Sequence, residues 1–229
     1  MRDWLSYRLS DLLLFSPRTY YRMFELYQQE IWPVQLLALA GAVLIIALLW
    51  RGNDRSEVVI AVLLAAMWLW VGISFHLMRY ATINWAARYF AVLFVTQAAL
   101  VVWYGIVRRR MTFRPTKSGG RWLAPAVFIA AIVLPPLSGL ATDRTWTQVE
   151  LFGLTPDATA VATLALVLVA ADSAPRMLAL VPLAWCAIGA ATMWAMASGE
   201  AWVSIAAVLV GVLVMVRTRS PRRASGLQA

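Results

Sequence analysis

Residues 58–78 read VVIAVLLAAMWLWVGISFHLM, a run of twenty-one positions with no Asp, Glu, Lys or Arg. About 20 apolar residues rising 1.5 Å each are what a helix needs to cross a hydrocarbon core roughly 30 Å thick. Working outward from this run, comparable stretches occur at Trp32–Trp50, Ala86–Val107, Trp122–Ala141, Pro156–Ala171, Met177–Ala197 and Ala201–Val216, for seven expected spans. Those starting at Pro156 and Ala201 have 16 residues each. At roughly 24 Å they need local thinning or snorkelling flanks, and Arg217 and Arg219 stand where they can snorkel.

The whole composition agrees. The chain is 62% hydrophobic and 14% charged, with a mean hydropathy of +0.72, whereas soluble domains run near 45–50% apolar and about 25% charged. The expected fold class is therefore all-α, a polytopic membrane helix bundle, since lipid leaves every backbone polar group to be satisfied internally. Three regions follow: an N-terminal interfacial segment (1–31), a seven-helix transmembrane domain (32–216) and a basic tail (217–229).

Charge distribution orients the bundle. With seven spans, one side holds Arg51, Arg55, the Arg108–Arg121 cluster, Arg176 and the tail arginines, thirteen basic residues against Asp54, Glu57 and Asp172. The other side holds seven basic residues against eight acidic ones, so the sides carry +10 and −1 of the formal +9. The richer side is the cytoplasm, which places the N-terminus outside and the C-terminus inside. Basic residues confined to such loops give no reason to expect nucleic acid as a partner. The bilayer is the expected partner, and the tail arginines suit anionic inner-leaflet lipids.

The segment before the first span lacks a signal-peptide core, because Leu12–Phe15 is too short and no small-residue cleavage pattern follows. Ser16-Pro17 reads as a helix start, Ser capping and Pro at the first helical position. Tyr20, Met23, Phe24, Tyr27 and Ile31 then recur at helical spacing, with Arg18, Arg22, Glu25 and Gln29 opposite. This predicts an amphipathic interfacial helix over 17–30, lying on the outer leaflet or across the bundle mouth.

Several chemistries are excluded. One Cys (Cys186) and one His (His76) rule out a disulfide framework, a Cys/His zinc cluster and a bis-histidine haem. The only lysine, Lys117, lies in a loop, so retinal cannot be held as in rhodopsins, and no phosphate-cradling glycine motif occurs. No charge stands mid-span, unlike most ion-coupled pumps. No catalytic residue, metal ligand or cofactor is expected.

What remains clusters at the outer end. Trp68, Gly72, His76 and Arg79 follow i, i+4, i+8, i+11 spacing and share a helix face. Asn84 follows in the next turn, Tyr27 and Glu30 end the interfacial helix, and Asp157 opens the fifth span after Thr155-Pro156. These seven (His76, Trp68, Arg79, Asn84, Glu30, Tyr27 and Asp157) are the expected ligand-binding set, Arg79 facing an anionic group. Competing structural roles are plain: Asp157 as a first-turn dipole partner, Arg79 as an interface anchor, and His76 as a buried histidine bonded to a carbonyl or carboxylate. Gln97 either bonds across to another helix or lines a wet cavity. Cys186 reads as apolar filler.

The blocks Phe15-Ser16-Pro17-Arg18-Thr19-Tyr20-Tyr21, Phe24-Glu25-Leu26-Tyr27, Ile31-Trp32-Pro33, Trp68-Leu69-Trp70, Ile83-Asn84-Trp85-Ala86-Ala87 and Phe152-Gly153-Leu154-Thr155-Pro156-Asp157 resemble a bacterial family of multipass membrane proteins, domain-of-unknown-function family six-zero-six-four. Trp85 departs from the proline that family usually carries in its block. The resemblance implies a bacterial inner-membrane protein with no assigned activity. The leading expectation is a small permease-like or solute-binding bundle with an outward polar pocket, aided by homo-oligomerisation. The alternative is an accessory or scaffolding subunit of a larger membrane complex, and a lipid- or quinone-directed enzyme ranks behind both.

Overall fold

The computed structural model describes residues 13–113, 122–142, 144–170, 174–199 and 201–217. The expected loop beyond Phe113, Asp172 and the tail beyond Arg217 lie outside them, as do Arg2 and Arg8. Among the described residues the chain is all-α: α1 (Pro17–Glu30), α2 (Val34–Arg51), α3 (Asp54–Trp70), α4 (Ala87–Val101), α5 (Leu123–Leu140), α6 (Pro156–Val169), α7 (Met177–Ala195) and α8 (Ala201–Arg217). Five stretches are long and apolar enough to cross a membrane: Val34–Arg51, Asp54–Thr82, Ala87–Val107, Leu123–Leu140 and Met177–Ala195. Pro156–Val169 and Ala201–Leu213 are apolar but shorter.

Helix starts follow capping chemistry. Ser16 Oγ accepts from Thr19 N at 3.2 Å with Pro17 at the first position of α1. Helix α3 begins at Asp54, four residues ahead of the apolar run, because Asn53 Oδ1 accepts from Ser56 N at 2.8 Å and Asp54 and Glu57 suit the positive helix end. Gly52, at φ +57°, ends α2 in the left-handed conformation that glycine adopts without strain.

The expected α-helical register of residues 58–78 changes partway. Residues Val71–Leu77 form a wider π turn continuing α3, and Val102–Val107 do the same after α4. Such widenings interrupt the i→i+4 ladder and re-aim the side chains around them. A Cβ at Gly72 would stand 3.2 Å from Phe94 Cβ, so its missing side chain admits α4.

Helix α6 is the centre of the bundle, buried at nearly every position from Pro156 to Val167, as a helix apolar all round must be. Its threonines return their hydroxyls to the backbone one turn earlier, Thr159 Oγ1 to Thr155 O and Thr163 Oγ1 to Thr159 O, both at 2.7 Å. Pro182 lies inside α7 and cannot donate to the carbonyl of Leu178 one turn back. Gln97 of α4, fully buried, supplies the missing donor, its Nε2 reaching Leu178 O at 2.8 Å. Of its two expected roles, Gln97 has the cross-helix one.

The bundle has two distinct ends. At one, Trp50 meets Trp122, Phe113 N donates to Glu57 and Tyr104 meets Met177. At the other, α1 lies across the helix ends, Tyr27 Oη donating to Leu154 O at 3.0 Å and Tyr21 Oη to Ser198 Oγ at 3.2 Å. Tyr20, Met23, Phe24, Tyr27 and Gln28 are buried beneath it. Helix α1 thus packs against the helix ends at this end of the bundle.

Candidate functional site

The expected site residues divide into a rim and an interior. At the rim, Arg79 pairs with Glu30, both partly exposed. Asn84 Oδ1 turns back to accept from Ala86 N at 3.0 Å, forming a local turn that starts α4. Tyr27 belongs to the docking of α1: its hydroxyl also accepts from Trp70 Nε1 at 3.0 Å. Burial raises this phenol above its usual range, against the opposing pull of that indole N–H.

The interior begins with Trp68, whose Nε1 donates to Thr163 Oγ1 at 2.9 Å and whose ring lies 4.5 Å from that of Phe94. His76 is fully buried. Its imidazole meets the rings of Phe94 at 4.4 Å and Trp185 at 4.8 Å, with Phe75, Tyr80 and Phe90 completing the surround. Neither of its ring nitrogens has a hydrogen-bond partner among the described residues. Trp185 links this ring cluster to Asp157: its Nε1 donates to Asp157 Oδ1 at 2.5 Å. A Cβ at Gly189 would stand 3.0 Å from the same carboxylate, so glycine makes room for it against α7. Thr155 does not cap α6 with its side chain; its Oγ1 exchanges hydrogen bonds with Leu151 N and O.

Sequence reasoning missed the other half of this interior. Glu150, in the connection between α5 and α6, is 3% exposed and lines a small cavity with Asp157, Ser138 and Ser204. Its volume of about 10 Å³ is the size of one water. Arg144 from the same connection is buried, its guanidinium 4.5 Å from the Tyr21 ring and donating to Gln148 O. Tyr20 of α1 closes the group. Burial drives its phenol well above the usual range, and the charges of Glu150 and Asp157 push the same way against Arg144.

A signal for Trp185 did exist. It stands mid-span, away from the ends where belt tryptophans sit, and a buried indole N–H needs an acceptor. Nothing comparable marks Glu150 or Arg144, which read as ordinary loop charges. Among the described residues, no group of three or more His, Cys, Asp or Glu is arranged to hold a metal ion.

No curated protein and no solved structure matches this chain. The model of a family of unknown function, DUF6064, matches residues 18–225, taking in nearly all of α1, the π turn with His76, and both carboxylates of the interior. By that match, the chain belongs to the DUF6064 family.

Proposed function

We propose that this chain is a small permease-like or solute-binding protein of the bacterial inner membrane, with seven spans, its N-terminus outside and its C-terminus cytoplasmic. Its solute chamber is the polar interior beneath α1. The observation that carries this reading is His76: fully buried, ringed by aromatic side chains and, among the described residues, lacking a partner at both nitrogens. Leaving a buried polar group unsatisfied costs about 1–3 kcal/mol. A solute entering beside His76 would supply the partner. Asp157 and Trp68 line its route, and the rim pair Arg79–Glu30, with Asn84 and Tyr27, frames the mouth.

The topology rests on the charge asymmetry and on the grouping of helix ends, which alternates as seven crossings require. Because the lone thiol, Cys186, is buried, single added cysteines report sidedness cleanly. Gln29→Cys is expected to react with a membrane-impermeant maleimide in cells with a permeable outer barrier, and Arg110→Cys only after lysis. The reverse pattern would invert the topology.

His76→Phe tests the chamber. Phenylalanine fits an aromatic surround and removes both unsatisfied nitrogens, so the melting temperature should hold or rise. Native mass spectrometry of the gently extracted protein should then lose a small-molecule adduct that the wild type retains. Unchanged adducts would sink the chamber reading. A stoichiometric partner protein in that spectrum would favour the accessory-subunit reading instead, to which one observation speaks: an apolar crevice of about 190 Å³ between α5, α6 and α8, lined by Leu134, Leu164, Leu168 and Trp202.

A further inference from the structure

A second feature lies along the flank of α1, beside the mouth of the chamber. A groove of about 350 Å³ runs between α1 and the turn after α3, lined by Arg18, Thr19, Arg22, Leu26, Arg79 and Thr82, among others. Arg18 and Arg22 are one helical turn apart and so project along one stripe of α1. Arg79 enters from the facing turn. Arg22 shares its charge with Glu25 at 2.7 Å and Arg79 with Glu30, while no ion pair is seen for Arg18 among the described residues. Helix α1 has no acidic residue in its first turn, so its positive end adds to the charge of Arg18.

The surroundings indicate what fits there. On a side whose loops are close to neutral, three of seven arginines meet in one groove with an apolar wall formed by Met23, Leu26 and Ile83. Exposed Trp32, Trp85 and Trp146 mark the same end of the bundle, and tryptophans so placed settle at headgroup level. Guanidinium groups bind phosphate oxygens in pairs, and the apolar wall suits the start of an acyl chain.

We infer that this groove binds the headgroup of an anionic phospholipid, whose net negative charge phosphatidylcholine lacks; its placement in the outer leaflet rests on the topology proposed above. The groove shares Arg79 with the mouth of the chamber but contains neither His76 nor Asp157, so His76→Phe should leave it intact.

The test uses the full chain in detergent, titrated with equal amounts of short-chain phosphatidylglycerol and phosphatidylcholine and read by native mass spectrometry. The wild type should retain phosphatidylglycerol preferentially. Arg18→Gln/Arg22→Gln should reduce that preference about tenfold, and Arg88→Gln, an exposed arginine outside the groove, should not. Should the double variant fail to fold, Arg18→Gln alone decides. Equal retention of the two lipids, a preference untouched by the groove variants, or an equal loss in Arg88→Gln would overturn the proposal. So would displacement of phosphatidylglycerol by millimolar inorganic phosphate, which would make the groove a site for the free anion.

Discussion

Trp185→Ala is expected to cost about 3–5 kcal/mol of stability, the range for removing a large aromatic side chain from a packed interior. Trp185 is 5% exposed and its ring lies 4.8 Å from His76 and 5.2 Å from both Phe90 and Phe94. Truncation therefore opens a hole where α3, α4 and α7 meet. It also takes a donor from the buried carboxylate of Asp157. Trp185→Phe separates the two losses, since it keeps much of the ring packing and removes the indole N–H. A hydrogen bond to a charged group is worth about 1.5–3 kcal/mol, so the phenylalanine variant should fall between wild type and alanine. Denaturant unfolding in mixed micelles gives the order directly. Equal losses in both variants would mean that packing contributes little and the hydrogen bond dominates. A phenylalanine variant as stable as wild type would mean that the bond to Asp157 contributes nothing. Combining Trp185→Phe with Asp157→Asn measures the coupling, which for a contacting pair is about 0.5–3 kcal/mol.

The same residues show what the sequence made legible. Apolar runs locate α2 to α8 to within a few residues because hydropathy along a helix is a local property, and Ser16-Pro17 marks the start of α1 because capping is local too. The buried stripe of α1, Tyr20, Met23, Phe24 and Tyr27, is readable from its spacing. The π turn over Val71–Leu77 is not. Its composition is that of any apolar helix, and its geometry answers to what packs around it. That is why the face shared by Trp68, Gly72 and His76 continues inward while Arg79 leaves it for Glu30 at the rim.

The candidate site was legible in proportion to how local its determinants are. His76 stands out as the lone histidine in an apolar run. Glu150 and Arg144 belong to a connection that folds back under α1, and nothing periodic in Arg144–Thr155 announces that path. No apolar run carries a charge at its middle, yet the fold brings a loop carboxylate and a helix-start carboxylate to one small cavity. Charge burial is a tertiary property here, and hydropathy windows read only the chain that carries the charge.

Phe24→Ala should free α1 from the bundle. Phe24 is fully buried, 5.1 Å from Phe75 and 5.0 Å from Tyr20, and Tyr27 meets Phe75 edge-on at 5.4 Å. Removing the Phe24 ring costs about 3–5 kcal/mol, borne by a helix of 14 residues too short to persist strongly without docking. Phe75 is the receiving ring, and its neighbour His76 projects the other way toward Phe94 and Trp185. The π turn thus ties the seat of α1 to the imidazole of His76, the arrangement expected if the proposed chamber exists and α1 is its lid. Gln28, 4% exposed with Nε2 toward Val149 O, is the reporter. Gln28→Cys should resist maleimide in the otherwise wild-type chain and react at least tenfold faster, about 1.4 kcal/mol of opening, when Phe24→Ala is added. Cys186 should stay unreactive throughout, which separates undocking of α1 from collapse of the bundle. If Gln28→Cys remains protected beside Phe24→Ala, α1 is a fixed part of the bundle and not a lid over His76.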